Sequence, residues 1–236
     1  MKRTVVITGG TKGLGREIAL AFARDGHFVV VLFASDRSAA EEFKLAMAEI
    51  EGQGCVWQHD VRTDDPSIWE RPEIKNAESL VLVHNACASF APVPAHQLRW
   101  TDFDQNLDVA VKGGWLCSQG LIRPMLKKGQ GVIVNILSSV IDGPSPKGFA
   151  AYSVAKHALR GLTLSLASEY SSRGIRVFSV SPGFMDTPLT AKWDARLREM
   201  IRAASIRITD PTVAGQKLVK LVEDATLAGN GEDYPI

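Results

Sequence analysis

The sequence predicts an α/β fold: an open, doubly wound parallel sheet with helices on both faces. Three observations predict it. Short β-branched and aliphatic runs recur along the chain, separated by segments of helical period. The first run breaks at a glycine-rich turn that opens a helix. A Tyr-x-x-x-Lys pair follows the fifth run, just beyond the strand ends where sheets of this kind gather their ligand-binding groups.

Thr4-Val5-Val6-Ile7-Thr8 reads as a central strand. It stops at Gly9-Gly10-Thr11-Lys12-Gly13-Leu14-Gly15, and an amphipathic helix follows with Ile18, Ala19 and Phe22 on its apolar side. Glycines allow a tight turn and a close backbone approach to a pyrophosphate, and the helix N-terminus offers unpaired N–H groups to it. The second strand is Phe28 to Phe33. Its end carries Phe33, Ala34 and Ser35 where an NAD site usually has an acid, and the first acid, Asp36, lies already in the loop. Lys12 and Arg37 supply nearby positive charge. This favours a 2′-phosphate, hence NADP(H) over NAD(H), although Asp36 can still turn inward.

Ala39 to Glu51 is helical, with Phe43, Met47 and Ile50 facing the core. Cys55-Val56-Trp57 is a third strand, and Asp60 just after it is placed either to meet an adenine amino group or to cap a helix. Residues 64 to 77, holding Pro66 and Pro72, allow only a turn or two of helix. Ser79 to His84 is the fourth strand. Asn85 follows, able to lock neighbouring backbone, and His84 reads as structural. After a proline-bearing loop, Thr101 to about Leu126 reads as one long helix. Its apolar content exceeds one stripe, so a second face is expected to pack on a partner subunit.

Gly131 to Leu137 is the fifth strand, with Ser139 just past it. Tyr152 and Lys156, four apart on the next helix, project from one face. An ammonium close to a phenol favours the phenolate and lowers a pKa that is ordinarily about 10. Such a phenol exchanges a proton with a carbonyl or alcohol oxygen near pH 7, with Ser139 donating to the same oxygen. The helix runs to about Ser171, and Ile175 to Val180 is the sixth strand. Thr187 is a further cofactor contact. Asp186 to Ile208 is polar and irregular and reads as a lid over the substrate, and Thr209-Asp210-Pro211 opens a last helix to about Glu223.

The chain of 236 residues, 45% hydrophobic with net charge +1, suits one domain over 1–236 and points to neither a nucleic-acid nor a membrane partner. No secretory segment and no apolar stretch near the ~20 residues of a membrane span occur. Cys55, Cys87 and Cys117 are scattered and suggest neither a disulfide framework nor a metal site. A cytoplasmic protein is the expectation.

Taken together, Thr8-Gly9-Gly10-x-x-Gly13-x-Gly15, Asp60, Asn85-Ala86, Ser139, Tyr152-x-x-x-Lys156 and Pro182-Gly183 resemble the single-domain short-chain dehydrogenases/reductases, in order and approximate spacing. The resemblance implies a Rossmann fold, with about seven parallel strands ordered 3-2-1-4-5-6-7, and hydride transfer between a nicotinamide and a carbonyl or alcohol carbon. It implies that Tyr152 is the general acid/base, that Lys156 holds the ribose and tunes Tyr152, and that Ser139 orients the substrate oxygen. The implied cofactor site comprises Gly9, Thr11, Lys12, Gly13, Leu14, Gly15, Ser35, Arg37, Asp60, Val61, Asn85, Ala86, Ile136, Tyr152, Lys156, Pro182, Gly183 and Thr187. Family members commonly assemble as homodimers or homotetramers through two long helices, here about 101–126 and 152–171.

Three departures from the family pattern stand out. Cys87 replaces a glycine beside the cofactor, Ala110 holds the position of an asparagine that anchors a relay water, and the C-terminus lacks the usual glycine-paired ending. Asn106, one turn away, is a candidate substitute for the asparagine. The subgroup resembled most is the 3-oxoacyl-carrier-protein reductases of fatty-acid or polyketide synthesis. The expected substrate is therefore a small-molecule or carrier-bound ketone, and Lys127, Lys128 and Arg173 are a candidate patch for an acyl carrier protein. The alternatives are a weakly catalytic cofactor-binding subunit that works in a hetero-oligomer, and an NAD-dependent dehydrogenase of a small alcohol.

Overall fold

The computed structural model describes residues 2–191, 193–204, 207–227 and 229–236. Seven parallel strands form one sheet in the order β3-β2-β1-β4-β5-β6-β7. They are β1 (Thr4–Thr8), β2 (Phe28–Phe33), β3 (Gly54–Gln58), β4 (Leu80–His84), β5 (Gly131–Ile136), β6 (Ile175–Ser181) and β7 (Asn230–Pro235). This is the expected Rossmann order, and it reverses between β1 and β4, where such sheets open a crevice. The near-continuous aliphatic strands follow from burial on both faces. Val5 and Ile7 of β1 join one core cluster, and Val6 between them joins the other.

Helices α1 (Gly13–Arg24), α2 (Arg37–Glu49) and α8 (Pro211–Glu223) cover the first face. Ile18, Phe22, Phe43, Leu218 and Val222 interdigitate there with Val31, Val134 and Phe178. On the second face lie the short α3 (Pro72–Lys75), α4 (Trp100–Leu107), α5 (Gly113–Lys128) and α6 (Ala150–Tyr170), contributing Ile74, Leu121, Met125 and Leu166. The one-to-two-turn reading of 64–77 matches a 3-10 turn at Pro66–Glu70 plus α3.

Two readings need correction. The long helix over 101–126 is interrupted by a π-turn at Asp108–Lys112, where the Gly113 N–H reaches back five residues to the Asp108 carbonyl. The irregular stretch 186–208 contains α7 (Ala195–Ala204); Lys192, Ser205 and Ile206 within it lie outside the described residues. The C-terminus supplies the seventh strand of the expected order, β7, although its sequence NGEDYP lacks a β-branched or aliphatic run. This edge strand pairs on one side only and is held largely by its ladder to β6 and by Tyr234 against Phe178. Among the described residues no helix is long and apolar enough to cross a membrane, and no cluster fit for a metal ion occurs.

Candidate active site

The turn after β1 is built to admit an anionic group. Gly9 has φ +62°, a conformation that disfavours residues with a Cβ, and its N–H donates to the Leu32 carbonyl at 2.8 Å. A Cβ on Gly15 would lie 2.4 Å from both the Asn85 Nδ2 and the Gly9 oxygen, so α1 packs on the turn only with glycine there. Asn85 Nδ2 donates to the Thr8 and Gly9 carbonyls, both at 3.1 Å, which ties the β4 end to the turn. Lys12, the N-cap of α1, makes no side-chain cap, and the first turn has no acid, so its N–H groups remain for an anion. These features fit a dinucleotide pyrophosphate.

A groove of ≈ 210 Å³ continues from the turn, lined by Gly9, Thr11, Lys12, Phe33, Ser35, Asp36, Asp60, Val61, Arg62, Ala86 and Cys87, among others. Gly13 and Leu14 are the first residues of α1, and the Leu14 side chain is buried in the core. Thr187 and Pro188 approach Gly13, each 3.6 Å from where a Cβ would stand, so the segment after β6 reaches over the turn. Pro182 accepts from the Ser139 N–H at 2.9 Å, and Gly183 donates to the Thr209 hydroxyl at 2.9 Å.

Charge at the groove's far end differs from the expectation. Lys12 Nζ and Asp36 Oδ2 form an ion pair at 2.7 Å, and hydrogen bonding to Lys12 holds the Asp36 carboxyl below its usual range. Arg37 does not line the groove. It is the first residue of α2 and turns its guanidinium to Gln58 Oε1 at 3.3 Å. The arginine that does line it, Arg62, has no role in the sequence reading. It binds both oxygens of Asp60, at 2.6 Å from Nη2 to Oδ2, and keeps that carboxyl ionised. The adenine role of Asp60 thus competes with an internal ion pair.

Tyr152 and Lys156 come together on the first two turns of α6, both buried. Lys156 Nζ donates to the Ile136 carbonyl at 2.7 Å and lies 5.6 Å from the centre of the Tyr152 ring. Burial pulls its ammonium below the ordinary lysine value. The phenol moves opposite to the expectation. Burial pushes its pKa well up, the Cys87 thiolate would push it further, and only a hydrogen bond from Ser138 opposes them. Desolvation dominates, so the phenol is held as an acid.

A side-chain hydrogen bond joins Ser138 to Tyr152, whereas Ser139 is the serine expected to share the substrate oxygen. Ser138 is the last extended residue after β5 (φ −172°, ψ 152°), and its hydroxyl also accepts from the Val140 N–H. Ser139 already begins a 3-10 turn. The doublet Ser138-Ser139 is the available signal, ambiguous until the end of the extended backbone is known.

Beneath the site runs a buried chain. Thr8 Oγ1 accepts from the Asn85 and Ala86 N–H groups at 3.0 and 2.9 Å, leaving its own proton for His84 Nδ1 at 3.2 Å. His84 Nε2 then donates to the Ala110 carbonyl at 3.0 Å, inside the π-turn. Burial holds the imidazole neutral, with its pKa lowered to about 4. Ala110 packs with Leu137, Ala155 and Leu159, the last two on either side of Lys156. Asn106 stays one turn away, donating to the Asp102 carbonyl.

Aromatic side chains close the front of the site. Phe90 stacks on Tyr152 at 4.5 Å and 14°, and Phe149 and Trp193 meet Phe90 edge-on at 5.2 and 5.3 Å. Trp193 Nε1 donates to the Phe90 carbonyl at 2.7 Å. Neither Phe90 nor Trp193 lies on an element with a readable period, so the sequence alone gives no reason to single them out.

Residues 3–198 match the short chain dehydrogenase family. The cis-4-hydroxycyclohexanecarboxylate dehydrogenase of Sinomonas cyclohexanicum is 30% identical over 95% of this chain and 90% of its own. The 3-oxoacyl-[acyl-carrier-protein] reductase FabG of Staphylococcus aureus is 31% identical over 85% of this chain and 82% of its own. Among solved structures, one from Beutenbergia cavernae, provisionally described as an NAD(P) dependent gluconate 5-dehydrogenase with bound NADP, superposes with a TM-score of 0.87. It is 29% identical and covers 99% of this chain and 94% of that one. A match of this extent, on a sheet that reverses at β1/β4 beside a buried tyrosine and lysine, settles the family: this chain is a short-chain dehydrogenase, an NAD(P)-dependent oxidoreductase acting on alcohol or ketone groups.

Proposed function

We propose that the protein reduces a ketone to a secondary alcohol with NADPH, with Tyr152 as the general acid. The observation that carries this reading is the phenol itself, buried, kept protonated and hydrogen-bonded to Ser138 above the fixed Lys156. The glycine turn, Ser35 and Lys12 would hold the cofactor, with Asn85 fixing the turn's shape. The bound nicotinamide supplies the hydride. The Ser138 hydroxyl and the Tyr152 phenol converge on the carbonyl oxygen, so negative charge developing there meets two donors and then a proton. Lys156, held by the Ile136 carbonyl, stabilises the phenolate that remains.

A 3-oxoacyl thioester is the acyclic substrate to try first, given the likeness to FabG. Its carrier-protein form draws no support from the basic patch. Lys127, Lys128 and Arg173 sit just before β5 and β6, whereas Tyr152 acts beyond the other ends of those strands. A six-residue strand separates the two edges by about 20 Å. Lys128 also donates to the Lys75 carbonyl and Arg173 stacks on Tyr170. The test is NADPH consumption with a ketone panel. Turnover that Tyr152→Phe abolishes supports the reading, and turnover unchanged in that variant overturns it. A second reading, NAD-linked alcohol oxidation, is favoured by Asp36, which lines the groove where an acid would bind ribose hydroxyls.

A further inference from the structure

We infer that the substrate is a small, apolar ring ketone rather than a sugar-derived keto acid or an open-chain acyl thioester; this rests on the reductase reading above and names its substrate class. Tyr152 faces an aromatic enclosure. Phe90 lies flat on the phenol ring, and Phe149 stands edge-on to Phe90, Tyr152 and Trp193 at 5.2, 6.1 and 5.4 Å. Phe149 and Trp193 are buried, and Val140, Phe184 and Cys87 pack around them. Phe90 sits on the loop after β4, Phe149 at the start of α6 and Trp193 before α7. Three separate segments of the chain therefore converge to place apolar rings beside one proton donor.

Such walls hold a flat or puckered hydrocarbon ring by dispersion and burial. They offer little to a polyol. The Trp193 indole N–H is committed to the Phe90 carbonyl, and in the adjoining cavity the Asn106 amide is committed to the Asp102 carbonyl. Each sugar hydroxyl buried here without a partner costs affinity, which is how an apolar site rejects a polar analogue. The adjoining cavity is ≈ 220 Å³; Phe90 and Tyr152 stand in its wall, and Ser89, Asp102, Gln105 and Asn106 are its polar lining. It falls below the ~300 Å³ at which drug-sized ligands begin to fit, so a long acyl-thioester arm would have to lie outside it. Its single charged lining residue is Asp102, which repels the carboxylate of a sugar acid.

The reaction balances as ketone plus NADPH plus H⁺ giving secondary alcohol plus NADP⁺. Hydride goes to the carbonyl carbon, the π bond's electrons go to oxygen, and the Tyr152 proton completes the hydroxyl before solvent restores it. The experiment measures kcat/KM with NADPH for cyclohexanone and acetophenone, 5-ketogluconate and acetoacetyl-coenzyme A. Wild type is compared with Phe90→Ala, Phe90→Leu and Trp193→Ala, with thermal midpoint and NADPH affinity recorded for each. The ring ketones are expected to lead by about 100-fold, as expected when hydroxyls go unpaired in an apolar site. Phe90→Ala raises their KM about 10-fold while NADPH affinity holds, and Phe90→Leu recovers part of the loss. Preference for 5-ketogluconate or the thioester, or a ring preference untouched by both Phe90 variants and by Trp193→Ala, overturns this inference alone. Turnover of none of the ketones by a folded, NADPH-binding protein overturns the reductase reading, and this one with it.

Discussion

At the scale of single residues, chemistry here is decided by which groups lose water. Tyr152 and Lys156 are both buried, so each is pushed toward its neutral form, the phenol upward and the ammonium downward. A protonated phenol serves reduction, and its raised pKa sets the sign of the pH effect. The acid form persists above the ordinary ~10 of tyrosine, so kcat for ketone reduction stays level from pH 6 to 9, whereas alcohol oxidation, which needs the phenolate, climbs with pH. A reduction rate that falls steadily across pH 6–9 contradicts this. If Ser138 carries the second donor, as proposed, Ser138→Ala should lower kcat about 100-fold, in the range of losing one oxyanion donor, while Ser139→Ala changes it less than about 3-fold. Steady-state rates of the two variants with one substrate decide between the neighbouring hydroxyls. Lys12 is the residue on which to test cofactor choice. If its ammonium serves a 2′-phosphate rather than Asp36 alone, Lys12→Ala should weaken NADPH about 10-fold and NADH little, as titrated by cofactor fluorescence; equal loss for both discards that role.

At the scale of elements, the π-turn between α4 and α5 explains why Ala110 stands where the family has asparagine. The turn frees a carbonyl, His84 caps it, and the Ala110 methyl fits against Leu137, Ala155 and Leu159. An asparagine there would bury an amide among aliphatic side chains. Ala110→Asn is therefore expected to destabilise the protein by about 1–3 kcal/mol, with no gain in rate. For a chain of this size that is a fall of roughly 2–4 °C in thermal midpoint per kcal/mol, readable by calorimetry. A faster and equally stable variant would show instead that a relay amide is missing. The element scale also shows what the sequence makes legible. Six strands, the glycine turn and the Tyr152/Lys156 pair follow from aliphatic runs and an i, i+4 spacing, because burial on both faces leaves a local imprint. The π-turn and β7 leave none. A π-turn depends on a partner for its freed carbonyl and β7 on the ladder from β6, whereas α7 does carry an imprint, Leu197, Met200 and Ile201 at helical spacing within a charged stretch. Which serine of the Ser138-Ser139 doublet meets the phenol is hidden for the same reason, since where β5 ceases to be extended is set by its neighbours.

At the scale of the whole molecule, the hydrogen-bonded chain from Thr8 through His84 to Ala110 couples the cofactor turn, the strand beside it and the helix packed against Lys156. All three are joined through an imidazole only 1% exposed. That places a titratable group at the centre of the fold, and its consequence for stability has a definite sign. The pKa of His84 falls from an ordinary 6.5 to about 4, mainly through burial and next through repulsion by Lys156. The unfolded chain therefore takes up the proton first. Stability present above pH 6.5 is lost progressively as the pH falls toward 4, and the full difference amounts to about 3 kcal/mol. His27 and His59 are also buried and lowered, so their contributions have the same sign. The paired carboxylates Asp36 and Asp60 act only below the ordinary carboxylate range, which leaves the interval from 6.5 to 4.5 to the histidines. Urea unfolding at pH 7.5 and pH 4.5 measures the loss in the wild type. In His84→Gln, whose amide can both accept from Thr8 and donate to Ala110, the loss should shrink by the larger part, whereas His27→Gln should remove only a smaller share. An unchanged pH dependence in His84→Gln would mean that the imidazole is already charged in the folded state, and the proton assignment along this chain would have to be reversed.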